Sequence, residues 1–160
     1  MEVPGKMKQA AGGEILAPDS FHHVCAVVRN IEKTMSHYSG TGPPRIREID
    51  LVKVTVRGKP GAFKFKLAFA NLGPLRLEFI QPVGESIYQE FLNERGEGLH
   101  HLCFIVNDLE TKVAEFLKLG ANVLTRNESF AYLDAVDFGG LILELVDSSF
   151  SPTLSRMAGS

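Results

Sequence analysis

The amino-acid sequence predicts an α+β fold of two tandem βαβββ modules, because one segment occurs twice and the same order of strand and helix patterns follows each copy. Residues 21–32 read FHHVCAVVRNIE and residues 99–110 read LHHLCFIVNDLE; five of the twelve aligned positions are identical, both histidines and the cysteine among them. A second echo lies downstream, LRLEFI at 75–80 and LILELV at 141–146, each with a glutamate in fourth place. Self-similarity of this kind marks a duplicated unit. The two landmarks stand further apart in the first copy, so its connecting region is the longer one.

Each copy opens as a strand, at residues 24–28 and 102–106, where β-branched and apolar residues cluster. Asn30 and Asp108 follow, and their short polar side chains suit the start of helical patterns that run to about residues 38 and 119. The first copy then offers strands at 51–56, at 62–69, where Phe63, Phe65, Leu67 and Phe69 alternate, and at 75–80 after an Asn71-Leu72-Gly73-Pro74 turn. The second offers strands at 122–125, 131–136 and 141–146, with Gly139-Gly140 at the last turn. Between the copies, Ile87, Tyr88, Phe91 and Leu92 recur at helical spacing ahead of Gly96 and predict a linking helix. The chain divides into a flexible N-terminal tail at 1–19, a first module at 20–84, the linking helix at 85–98, a second module at 99–149 and a flexible C-terminal tail at 150–160.

With 44% hydrophobic and 22% charged residues the chain is neither disordered, nor a coiled coil, nor collagen-like. Its 17 basic and 19 acidic residues leave no basic surplus for a phosphate backbone, which argues against a nucleic-acid partner. No apolar run is long enough to span a bilayer, and residues 1–20 hold nothing like a signal peptide, so the expectation is a soluble, cytoplasmic protein without a membrane partner. Cys25 and Cys103 are too few for a disulfide scaffold, lack the paired spacing of a zinc knuckle and read as buried thiols.

Glu78 and Glu144 each sit within an apolar strand pattern, where burying a carboxylate costs several kcal/mol unless it is compensated. That the same cost arises twice at matched positions asks for a shared cause. Modules packed about a pseudo-twofold axis would bring both carboxylates together with one imidazole from each His-His pair, and that set balances the charge of a divalent ion. Nitrogen and oxygen donors without a thiolate suit Mn, Fe, Co, Ni or Zn better than Ca or Mg, and argue against a closed structural zinc site. Strand alternation sends His22 and His23 to opposite faces, and His100 and His101 likewise, so the pattern leaves open which of each pair binds. Lys64 and Lys66 share the face opposite the phenylalanine row and are candidates to meet a carboxylate or phosphate, with a solvated face as the plainer reading. Phe130 and Tyr132 are candidates for a pocket wall.

Residues 21–28, and the run from Pro82-Val83-Gly84 through FLNERGEGLHH at 91–101, resemble the vicinal oxygen chelate superfamily of glyoxalase I, methylmalonyl-CoA epimerases, extradiol dioxygenases and bleomycin-resistance proteins. The second run looks most like the epimerases. The resemblance implies a glyoxalase-like curved mixed sheet around a central metal-binding cleft. It implies His23, Glu78, His101 and Glu144 as ligands of one divalent ion per chain, with Co, Ni, Mn, Zn and Fe as candidates. It further implies Glu144 or Glu78 as the catalytic carboxylate, a small-molecule substrate for which an acyl-CoA is one candidate, and a homodimer. The epimerases carry a further catalytic glutamate in a region aligned with residues 57–62, but this chain reads RGKPGA there, with Glu48 and Asp50 the nearest acids. The expected activity is therefore that of a metal-dependent isomerase or lyase stabilising an enolate. A glyoxalase I-like lyase, a non-haem iron dioxygenase and a metal-free binding or resistance protein are the alternatives.

Overall fold

The computed structural model describes residues 15–17, 20–38, 42–135 and 139–159. The strand-helix opening of the first copy is β1 (Phe21–Val27) and α1 (Ile31–Ser36), followed by β2 (Arg47–Val56), β3 (Lys59–Leu72) and β4 (Leu75–Val83). After α2 (Ile87–Arg95) the order repeats as β5 (Gly98–Val106), α3 (Leu109–Lys118), β6 (Asn122–Arg126), β7 (Phe130–Ala135) and β8 (Leu141–Asp147), and the chain ends in α4 (Ser151–Ala158). The helix starts are capped as their residue types require: Asn30 Oδ1 accepts from the Lys33 amide at 2.8 Å and Asp108 Oδ1 from the Thr111 amide at 3.0 Å. Arg57 and Gly58, at φ 48° and 78°, form the two-residue β2–β3 turn, where two positive φ values match the twist of the flanking strands.

The eight strands close into a mixed barrel in the order β1-β4-β3-β2-β6-β7-β8-β5. Within each half, the first and last strands pair in parallel, β1 with β4 and β5 with β8, and the other pairs are antiparallel. The halves meet through two antiparallel seams, β1–β5 and β2–β6. The β2–β6 seam pairs only Thr55 with Arg126 and Val56 with Thr125, and the closure places the inward faces of β1, β4, β5 and β8 around one interior.

Period-two alternation decides what fills that interior. Phe63, Phe65 and Leu67 point inward and pack with Cys25, Val27 and Tyr88, while Lys64 lies exposed on the other face of β3. Outside the barrel, α1 buries Ile31 and Met35 against Ala68, Ala70 and Phe79, and α3 buries Leu109, Val113 and Phe116 against Leu133, Leu143 and Leu145.

One expectation is corrected. In the stretch expected to be a flexible C-terminal tail, Ser151–Ala158 is helical, Leu154 is buried and Met157 packs against the barrel interior, while residue 160 lies outside the described residues. Of the tail expected at 1–19, residues 1–14 and 18–19 lie outside the described residues, while Ile15 and Leu16 pack against the α3 layer. No helix among the described residues is long and apolar enough to cross a membrane.

Candidate metal centre

Strand register builds the site around the two cysteines. Cys25 stands opposite Glu78 on one side and His101 on the other, and Cys103 stands opposite Glu144 and His23. The two halves thus present the same constellation across the β1–β5 seam. Alternation along β1 turns His23 and Cys25 inward and leaves His22 on the other face, so of the pair it is His23 that joins Glu78, His101 and Glu144. In the second half His101 stands level with Cys25 and on the same face of β5 as Cys103, and it is His101 that joins Glu78, Glu144 and His23.

The resulting geometry is nearly twofold symmetric. His23 Nε2 lies 3.2 Å from Glu78 Oε2 and 3.5 Å from Glu144 Oε2; His101 Nε2 lies 3.2 Å from Glu144 Oε2 and 3.5 Å from Glu78 Oε2. One ligand atom from each of the four residues falls within 4.8 Å of the others. His23 Nε2, His101 Nε2 and Glu78 Oε2 are fully buried without a well-aligned hydrogen-bond partner. An orphaned buried polar atom costs about 1–3 kcal/mol. Three of them converging from four side chains fit a divalent cation, which would accept every one, and the set of two imidazoles and two carboxylates suits a transition metal.

The surroundings hold these four side chains in place. His22 Nδ1 lies 2.7 Å from His23 Nδ1, and Arg76 donates to His22 Nε2 at 2.6 Å. His100 Nδ1 lies 2.9 Å from His101 Nδ1. Burial first, then the neighbouring ligand imidazole, lowers His22 to about 4 and His100 to about 2, so both supporting rings are neutral. Phe69 packs edge-on to His23 and Tyr132 lies over His101, with ring centroids 5.4 and 4.8 Å apart. These two rings occupy matching positions, Phe69 opposite Glu78 and Tyr132 opposite Glu144. Burial would raise the Glu78 carboxyl, but His23 and His101 outweigh it and hold the group well below the usual carboxylate range, so Glu78 is ionised. Burial pushes the Cys25 thiol up to about 12 and raises Cys103 as well, which keeps both as thiols. Cys103 approaches His22 and His23 closely enough to ligate, but a metal ligand must be the thiolate.

A cavity of about 190 Å³ opens onto Glu78 and Glu144. Phe130 and Tyr132 line it, as their sequence positions suggest. Lys64 and Lys66 do not; they project from the outer face of β3, where Lys64 pairs with Asp50 at 2.9 Å and Lys66 with Glu32 at 2.7 Å. The same alternation on β2 exposes Glu48 and Asp50 and turns Ile49 and Leu51 into the cavity. Sequence reasoning missed Tyr88, whose hydroxyl lies 2.7 Å from that of Tyr132 inside the cavity, and missed the wall supplied by Phe150, Leu154 and Met157. A tyrosine within the apolar stripe of α2 was the available signal for the first; for α4 the sequence carries only two large apolar residues, Leu154 and Met157, about one turn apart.

Comparison with known proteins follows the same lines. A family model described as Glyoxalase/Bleomycin resistance protein/Dioxygenase superfamily matches residues 22–133. Mitochondrial methylmalonyl-CoA epimerase of Mus musculus is 27% identical over 133 residues, covering 78% of this chain and 70% of the relative. The crystal structure of methylmalonyl-CoA epimerase from Mycobacterium tuberculosis aligns at 20% identity and a TM-score of 0.53, covering 80% of this chain and 87% of that one. A methylmalonyl-CoA epimerase in complex with methylmalonyl-CoA and ammonium aligns at 20% identity and a TM-score of 0.56, covering 81% and 94%. At such identities the solved structures speak for the fold alone. With most of the barrel inside the family match and the strand order repeated in both halves, the chain belongs to the glyoxalase/bleomycin resistance protein/dioxygenase superfamily.

Proposed function

We propose that the chain is a metal-dependent isomerase or lyase that removes a proton beside a carbonyl group and stabilises the resulting enolate. The observation that carries this reading is the convergence of His23, Glu78, His101 and Glu144, with three orphaned buried atoms, at the end of a ligand-sized cavity. A divalent ion held by those four residues would supply Lewis-acid polarisation of substrate oxygens. Glu78 and Glu144 are the only acidic side chains lining the cavity among the described residues, so one of them takes the proton and returns it. Glu144 is the more open of the two, with 12% of its side chain exposed against 7% for Glu78. Burial raises the phenols of Tyr88 and Tyr132 above their ordinary range, which keeps both hydroxyls protonated. Their mutual hydrogen bond uses one of the two protons, leaving the other to donate to a substrate oxygen.

The β2 wall faces the cavity with Ile49 and Leu51, so no second base stands there, and a single carboxylate serving one face of the substrate fits best. Such a site supports a proton shift between adjacent atoms or an elimination. The epimerase name of the 27%-identical relative supports an acyl thioester as one candidate substrate. The test is deuterium wash-in at the α-carbon of acyl-CoA and 2-oxo acid substrates in D₂O, using protein reconstituted with Co, Ni, Mn, Fe or Zn. Exchange that needs both the metal and Glu144 supports the reading; exchange undiminished in metal-free Glu144→Ala contradicts it.

A further inference from the structure

We infer that the cavity selects a substrate whose body, beyond the oxygens held at the Glu78–Glu144 end, is uncharged and apolar, about the size of a substituted benzene ring, and rejects bodies that themselves carry a carboxylate; this rests on the reading of the site as a metal-dependent enolising centre. Its volume of about 190 Å³ somewhat exceeds the ~150 Å³ of an apolar cavity known to hold benzene. Among the described residues lining it, only Glu78 and Glu144 are ionisable to a charged form at neutral pH, and both are committed to the four-residue cluster. A carboxylate or phosphate on the body, away from the Glu78–Glu144 end, would lose its water and meet no cation from the wall. The lysines that might have served, Lys64 and Lys66, are ion-paired on the outer face of the barrel.

Away from the Glu78–Glu144 end and the Tyr88–Tyr132 pair, the walls that β2, β7 and α4 supply are apolar. Ile49 and Leu51 come from β2, Phe130 from β7, and Leu154 and Met157 from α4, which packs against β3. The polar side chains left for recognition are neutral: the Tyr88–Tyr132 hydroxyl pair, the Ser129 hydroxyl, and Asn127, whose Oδ1 already accepts from the amides of Ser129 and Phe130 and so leaves its amino group as a donor. Such groups suit carbonyl or hydroxyl oxygens rather than anions. The selected molecule thus carries its oxygens at the Glu78–Glu144 end and an apolar body against β2 and α4.

The test uses three hydroxamates with the same chelating head, benzohydroxamate, acetohydroxamate and 4-carboxybenzohydroxamate, on Co(II)-loaded protein, with binding read from the visible absorption of cobalt. Benzohydroxamate is expected to bind about tenfold or more tightly than acetohydroxamate, the gain of burying the phenyl ring, and 4-carboxybenzohydroxamate to lose that gain. Met157→Lys, at a half-buried position on the wall, is expected to weaken benzohydroxamate and strengthen 4-carboxybenzohydroxamate while leaving the cobalt content unchanged. Leu154→Ala is the second variant and should weaken benzohydroxamate more than acetohydroxamate. Equal binding of benzohydroxamate and acetohydroxamate, or 4-carboxybenzohydroxamate binding as tightly as benzohydroxamate, would overturn the inference. If the wild type takes up no cobalt, the enolising reading fails by itself, and the cavity is then probed in metal-free protein by methyl NMR. Shifts at Ile49, Leu51 and Leu154 on adding benzohydroxamate would support the apolar site, and unmoved methyls would overturn it.

Discussion

Each inward-facing histidine of the cluster is followed two residues later by a buried cysteine that packs against the other half of the site, so the thiols act as spacers. Cys25 lies level with Glu78 and His101, and neither cysteine has exposed surface. A larger side chain there must push a ligand aside. Cys25→Leu should cost about 1–3 kcal/mol in urea unfolding, the usual range for overpacking, and should reduce metal occupancy, whereas Cys25→Ala should retain the metal. Protonation is the second lever at this scale. For His101, burial alone would lower the pKa, but the Cys25 sulfur and the carboxylates of Glu144 and Glu78 outweigh it and raise the group well above its ordinary value. A cation entering the site must therefore compete with a proton for His101. Affinity should rise as pH increases toward the His101 pKa and level off above it. Titration calorimetry in two buffers of different ionisation enthalpy should show proton release on metal uptake at pH 7; equal apparent enthalpies would contradict this. The residue pattern made Glu78 and Glu144 legible because a carboxylate among apolar neighbours is conspicuous twice over. It could not distinguish His22 from His23, because that choice depends on which face of β1 meets β5.

Among the elements, helices with a side-chain cap were readable from residue type. Asn30 and Asp108 occupy the N-cap positions expected of them. Asp108→Ala should cost about 1 kcal/mol, which lowers Tm by roughly 2–4 °C, and should leave metal content unaltered. Helix α4 escaped notice for a physical reason. It is 8 residues long, has no side-chain cap and opens with Pro152 in its first turn. So short a helix is not stable alone and depends on docking Leu154 and Met157 onto the barrel. Truncation after Phe150 should therefore leave metal binding intact and abolish the advantage of benzohydroxamate over acetohydroxamate. The lysines of β3 carry the converse lesson. Alternation showed that Lys64 and Lys66 oppose the phenylalanine row, but only barrel closure shows that the phenylalanines take the inside and leave the cations to Asp50 and Glu32.

For the whole molecule, the repeat revealed two equivalent halves, while the closure of one barrel through β1–β5 and β2–β6 was not visible in any local pattern. Pairing between strands far apart in sequence is a property of the assembled sheet. Its consequence is that each half contributes one histidine and one glutamate, His23 with Glu78 and His101 with Glu144, so neither half holds a complete site. A metal bound between them ties the halves together and stabilises the native state by mass action. At a thousandfold excess over Kd that amounts to about 4 kcal/mol, so chelator treatment should lower Tm by roughly 10 °C. The central claim is that these four side chains form one metal site. Elemental analysis of the purified protein and of Glu144→Ala, each after reconstitution with Mn, Fe, Co, Ni or Zn, tests it most directly. About one transition-metal ion per chain in the wild type and little in the variant is the predicted result; no metal in the wild type, or equal metal in both, would contradict it.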